Sequence, residues 1–206
     1  MSPFRLTPLA VILTLATVPT TGAAAQSVSP AAQAAARPRH TAADVQFMQG
    51  MIAHHAQAVR MSALVPSRTS RQDIRMLAER IDVSQQDEIA WMQTWLADRR
   101  EAVPAADAGH AHPGASEQPV LMPGMITPQE LAQLEASKGV AFDRLFLTHM
   151  IRHHEGAITM VKQLFGSPGA GQEPWLFEFA TDVDADQRAE IDRMRAILES
   201  LPGGGG

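Results

Sequence analysis

The sequence predicts an all-α protein, a four-helix bundle built from two repeated helical hairpins, and three observations carry that prediction. Apolar residues recur at helical spacing through four long segments, and no segment alternates with period two for long enough to make a convincing strand. Proline- and glycine-rich stretches fall between those segments, where a bundle needs its chain reversals. The third observation is an internal repeat. GMIAHHAQAVRM at residues 50–61 returns as HMIRHHEGAITM at residues 149–160, and the copies align without a gap at an offset of 99 residues from Asp44/Asp143 through Phe47/Phe146 to Met61/Met160.

Taken in order, residues 1–25 read as a secretory signal peptide. Arg5 precedes the apolar run LTPLAVILTLATV, and Ala23-Ala24-Ala25 supplies a small-residue cleavage site, so the mature chain is expected to start near Gln26. Residues 26–40 are small, proline-containing and aperiodic, as a flexible leader would be. The bundle is expected over residues 41–201, with repeat 1 at 41–100, a connector at 101–126 and repeat 2 at 127–201. Thr41 with Asp44 three residues on fits a capping pattern, and the first helix is expected to end before Pro66. The second is expected to start near Ser70, with Asp73 helping to cap it, and to run to about Arg100.

Pro104, Pro113, Pro119 and Pro123 break the pattern through the connector. Thr127-Pro128-Gln129-Glu130 is a strong helix start, opening a short helix that runs to about Ser137. Gly139 marks a bend, the third long helix follows from Val140 to Phe165, GSPGAGQEP is a turn, and the fourth runs from about Pro174 to Leu201. Residues 202–206 are expected to be a disordered glycine tail. The second helix of each hairpin repeats as well: QQDEIAWM and QRAEIDRM share Gln85/Gln187, Glu88/Glu190, Ile89/Ile191 and Met92/Met194.

Composition narrows the chemistry. The chain has 206 residues, 45% hydrophobic and 19% charged, which suits one globular domain with flexible additions. A net charge of −5 without a basic cluster offers no footprint for nucleic acid or an anionic membrane. Outside the signal peptide no stretch approaches the roughly 18 apolar residues of a membrane span, so the mature protein is expected to have no membrane attachment. A homo-oligomer is left open. There is no cysteine, so a soft-metal site would have to use methionine sulfur and histidine nitrogen, ligands that tolerate an oxidising compartment.

Those two residue types are what the repeat displays. At about 100° per residue, with Met51 as the centre of its helix, His54 falls about 60° to one side and His55 about 40° to the other. Both histidines therefore lie on the apolar face, and Met61 is two turns beyond His54. In the second copy Met150 sits between His153 and His154, and Met160 aligns with His153. His149, one turn before His153, has Gly50 as its counterpart. If the faces meet across the core, up to five imidazoles gather near Met51, Met61, Met150 and Met160. Imidazole suits copper, zinc, nickel and iron, and thioether biases the choice toward Cu(I). The competing reading is plain packing, since methionine at helical spacing fills cores and a lone buried histidine is usually a hydrogen-bonded core residue. Asp44, Asp143, Glu88 and Glu190 are placed to orient the histidines from outside. His110 and His112 in the connector, followed by Met122 and Met125, form a candidate accessory capture site.

Through FMQGMIAHHAQAVRM and FDRLFLTHMIRHHEGAITM, and over about Thr41 to Leu201, the sequence resembles the family called domain of unknown function 305. The resemblance implies an exported, ferritin-like four-helix protein, with copper bound through histidine and methionine in some members. The family pattern falls here on Met51, His54, His55 and Met61, and on Met150, His153, His154 and Met160. Position 53 is Ala where many relatives have Pro, which implies a straighter first helix here.

The leading expectation is a periplasmic or secreted, non-enzymatic metal-binding protein for copper storage, buffering or resistance, with zinc or iron as other candidate ions. A ferritin-like metal-dependent oxidase is the enzymatic alternative. The carboxylate-bridged di-iron design needs Glu-x-x-His on two helices, however, and none occurs in this chain. A metal-free module whose polar core pairs the two halves is the third reading.

Overall fold

A computed structural model describes residues 40–104 and 121–203. Residues 1–39, where a signal peptide and a leader are expected, His110 and His112 of the expected capture site, and residues 204–206 lie outside the described residues. Among the described residues there are five helices and no strand: α1 (Ala42–Arg68), α2 (Gln72–Asp98), α3 (Pro128–Ala136), α4 (Gly139–Gly166) and α5 (Pro174–Glu199). The four long ones make the bundle, and the short α3 rests on α4.

Local chemistry sets the boundaries. Thr41 and Asp44 form a reciprocal capping box, the Asp44 N–H donating to Thr41 Oγ1 at 3.2 Å and the Thr41 N–H to Asp44 Oδ2 at 2.7 Å. The other Asp44 oxygen accepts the Gly171 N–H at 2.7 Å, which ties the start of α1 to the turn before α5. Asp44 is thus spent on backbone and lies away from the histidines' partners. Thr127 and Glu130 repeat the box at α3, with Pro128 in the first turn. Gly139 opens α4 with φ at +58°, the backbone reversal expected of it.

Two expected boundaries move. Proline does not stop α1 at Pro66, which lies inside the helix. So close to the end, the missing N–H costs one hydrogen bond, and the Thr69 N–H still reaches Val65 O at 3.2 Å. Asp73 does not cap α2 from outside. It lies in the first turn, where it accepts the Ile74 N–H and pairs with Arg71, the residue at the N-cap position.

α1 and α2 pack as one hairpin, α4 and α5 as the other, and α1 against α4 joins them. The fourth seam, between α2 and α5, has the least backbone approach of the four. The apolar interior is divided. One cluster holds Met61, Val65, Ile74, Ile81, Phe142, Phe146, Met150 and Met194. The other holds Phe47, Met51, Met92, Trp95, Met160, Leu164, Leu176 and Val183. On each long helix the residues between these clusters are polar and buried or nearly so: His54 and His55, Gln85 and Glu88, His153 and His154, Gln187 and Glu190. A polar belt therefore crosses the bundle at its waist.

The end of the connector is part of this architecture. Gln57 clasps the Ile126 backbone from both sides, donating to its carbonyl at 3.0 Å and accepting its N–H at 2.8 Å. Gly124, at φ +76°, lies against Gly156 of α4, where a Cβ would fall 1.9 Å from the Pro123 carbonyl oxygen. Residues 121–126 are packed against α1 and α4.

Candidate metal centre

The belt follows from where the repeat puts its histidines. On α1 and α4 the two His-His pairs fall on the faces that meet, and all four rings are fully buried. His54 and His153 come together, with ring centroids 3.8 Å apart and planes 36° from parallel. His55 and His154 turn outward, each 6.3 Å from its neighbour in sequence.

Each imidazole uses Nε2 in the same way. His54 Nε2 lies 2.9 Å from the Pro123 carbonyl oxygen, and His153 Nε2 lies 2.9 Å from the His54 carbonyl oxygen. A carbonyl can only accept, so these nitrogens carry the proton and donate. His55 Nε2 meets Glu88 Oε2 at 2.5 Å, and His154 Nε2 meets Glu190 Oε2 at 2.7 Å. The other two pair with glutamate carboxylates at the same ring atom. All four Nδ1 atoms are buried, and none has a hydrogen-bond partner among the described residues. An imidazole whose far nitrogen donates to a carboxylate or carbonyl is oriented as metal ligands are, with its basicity raised.

Electrostatics keeps the inner pair neutral. Burial, then the neighbouring His55, pushes His54 down to about 3, against the modest upward pull of the Pro123 carbonyl. Burial, then His54 itself, holds His153 well below the ordinary imidazole range. Neutral imidazole is the ligating form. His149, at the rim of α4, is also lowered, by burial first and Arg152 second, and its Nε2 is buried without a partner.

The methionines flank the belt. Met51 and Met160 lie on one side with the second cluster, Met61 and Met150 on the other with the first. Met160 and Met122 converge on Gly50: a Cβ there would lie 3.1 Å from Met122 Sδ and 3.3 Å from Met160 Cε. Among the described residues no three His, Asp or Glu side chains are gathered closely enough to hold an ion by themselves.

Of the carboxylates expected to orient histidines, Glu88 and Glu190 do so directly. Asp143 is buried with Oδ1 unpartnered and contacts no histidine in the hydrogen-bond network. Sequence reasoning passed over Gln85 and Gln187. Both are buried, Gln85 has neither amide atom partnered, and Gln187 leaves Oε1 bare. Their signal was the repeat itself, since each stands three residues before the glutamate that holds a histidine.

Comparison with known proteins identifies the family and the fold. The profile of the family described as domain of unknown function (DUF305) matches residues 44–198. A DUF305 fragment from Deinococcus radiodurans is 30% identical, covering 80% of this chain and 100% of that one, with a TM-score of 0.66. A DUF305 protein from Streptomyces coelicolor, provisionally described as secreted, is 29% identical over 77% of this chain and 93% of its own, with a TM-score of 0.63. CopM in its Cu(I)-bound form is 25% identical over 78% of this chain and 98% of its own, with a TM-score of 0.60. CopM has also been solved in Cu(II)-bound and Ag-bound forms. An uncharacterised protein of Acanthamoeba polyphaga mimivirus is 42% identical over 57 residues, a match spanning 28% of this chain and 38% of that protein.

Proposed function

Because the chain belongs to the DUF305 family, we propose that it is an exported, non-enzymatic metal-binding protein that holds copper as Cu(I), in storage, buffering or resistance. The observation that carries the reading is the set of four buried Nδ1 atoms without a hydrogen-bond partner, each ring fixed by an oxygen at its opposite nitrogen. Leaving four such groups bare inside a core is costly, by about 1–3 kcal/mol each, and a bound ion is the occupant that would offset it. His54, His55, His153 and His154 would supply nitrogen, and Met51, Met61, Met150, Met160 and Met122, on either side of the belt, are the candidate sulfur donors. That mixture is soft, so it favours Cu(I) over Zn(II) or Mg(II). The copper- and silver-bound forms of CopM support the same choice. No helix among the described residues is long and apolar enough to cross a membrane.

Equilibrium titration of the purified protein with Cu(I), Cu(II) and Zn(II) tests the reading. Cu(I) is expected to bind tightest, and a variant with His54, His55, His153 and His154 all changed to Ala, its helicity checked by circular dichroism, is expected to lose that binding. Equal affinity in the two proteins sinks the proposal.

A further inference from the structure

A buried site needs a way in, and one side of the bundle differs from the others. Where α2 and α5 face each other, the loosest of the four seams, there is a cleft of about 450 Å³. Its walls carry five carboxylates, Asp87 and Glu88 from α2 and Glu178, Asp182 and Asp186 from α5. No lysine or arginine lines it. Asp87, Glu178, Asp182 and Asp186 have no ion-pair partner among the described residues. The remaining wall is aromatic. Trp91 of α2 stacks on Trp175 of α5, centroids 3.3 Å apart and planes 8° from parallel, with Phe179 beside them. Trp91 is nonetheless 43% exposed.

Unpaired negative charge between low-dielectric aromatic walls focuses potential and concentrates cations, and indole faces attract cations as well. The cleft is also continuous in chemistry with the belt. Glu88 lines it and at the same time holds buried His55 at 2.5 Å. One turn before Glu88, on the same row of α2, Gln85 is 1% exposed with both amide atoms unpartnered. On the facing helix Gln187, adjacent to Asp186, is 3% exposed with Oε1 unpartnered. Neither glutamine lines the cleft itself, but each stands within one turn of a residue that does, Gln85 before Glu88 and Gln187 beside Asp186.

We infer that the α2–α5 seam is the port through which a metal cation reaches the histidine belt: the carboxylates of Asp87, Asp182 and Asp186 gather it, and Glu88 passes it inward past Gln85 and Gln187 to His55. The inference rests on the metal-binding reading above and adds the route to it. It makes association electrostatically steered, so the rate of uptake depends on charge at this seam and not on charge elsewhere.

Stopped-flow mixing of the full chain with Ag(I), a redox-inert soft cation, in chloride-free buffer at low ionic strength measures this, with tryptophan fluorescence as the signal. The variant Asp87→Asn/Asp182→Asn/Asp186→Asn is expected to slow association about tenfold and to flatten its dependence on salt. A control variant that neutralises three exposed acids outside the cleft, Glu79→Gln/Asp192→Asn/Glu199→Gln, is expected to stay within about twofold of the unmutated rate. Equal rates in the two triple variants overturn the port and leave the binding site standing. If the unmutated protein takes up no Ag(I), the metal-binding reading falls and the port falls with it.

Discussion

Single residues decide how tightly the waist is closed. Gly156 lets the connector lie on α4, and a methyl group there would meet backbone, the Pro123 carbonyl, at 1.9 Å. No side chain can swing aside to make room, so Gly156→Ala is expected to lower stability by about 1–3 kcal/mol or more in a denaturant melt. Gly166→Ala, where a Cβ meets nothing within 4 Å, is the matched control and is expected to leave stability level or slightly raised. At this scale the histidines were legible because the repeat placed them twice on an apolar row. Gln57, Gln85 and Gln187 were not: a lone glutamine in a helical pattern reads as solvent-facing, and only the partners it meets across the bundle mark it as buried. Nor does any spacing rule foretell that a glycine will face another backbone 32 residues away in sequence (Gly124 to Gly156).

At the scale of elements, helix identity, order and most ends followed directly from periodicity and capping chemistry, while the end of α1 and the start of α2 did not. Pro66 and Asp73 are both strong local signals, and each was outweighed by a neighbour, the last turn that tolerates one lost bond and the Arg71 guanidinium that claims the carboxylate. The connector was the larger surprise. Its prolines read as irregular, and irregular was taken for loose, yet residues 121–126 are held by side chains that lie far off in sequence. Gln57→Ala would strand the N–H and carbonyl of Ile126, a loss of about 1–3 kcal/mol for each group left bare. Limited proteolysis under native conditions is expected to cut that variant within 121–126 and to spare the parent.

Across the whole molecule the belt couples stability to protons. His54 and His153 are neutral when folded, with His54 lowered from 6.5 to about 3 and His153 lowered in the same direction. Between those limits the unfolded chain binds protons that the folded one refuses, so stability falls as pH drops below 6.5 and the loss is complete only near 3. His54 contributes about 1.4 kcal/mol per pH unit within that window, and His153 adds a loss of the same sign. The Tm of the metal-free protein is therefore expected to be level above pH 7 and to fall steeply on acidification from about pH 6.5, and His153→Gln is expected to make the slope shallower. Glu130, held down to about 2 by Arg152, adds its own loss only below its ordinary value of 4.5. A bundle divided into two apolar clusters by such a layer was legible in outline, because both members of each hairpin repeat carry polar residues at matching places. The sequence did not disclose that only His54 and His153 would touch while His55 and His154 are drawn apart by their glutamates.

One contact at the centre carries a further meaning for how the two halves of the chain relate. His153 donates to the carbonyl of His54, but His54 donates to Pro123, a residue that belongs to neither hairpin. A single hairpin pairing with a copy of itself would have no Pro123 to offer. The linker thus does more than join two similar halves. It gives one of two matching imidazoles a different neighbour, so the two copies of the motif sit in unequal surroundings, as the pairing of Gly50 with His149 at matching positions also marks.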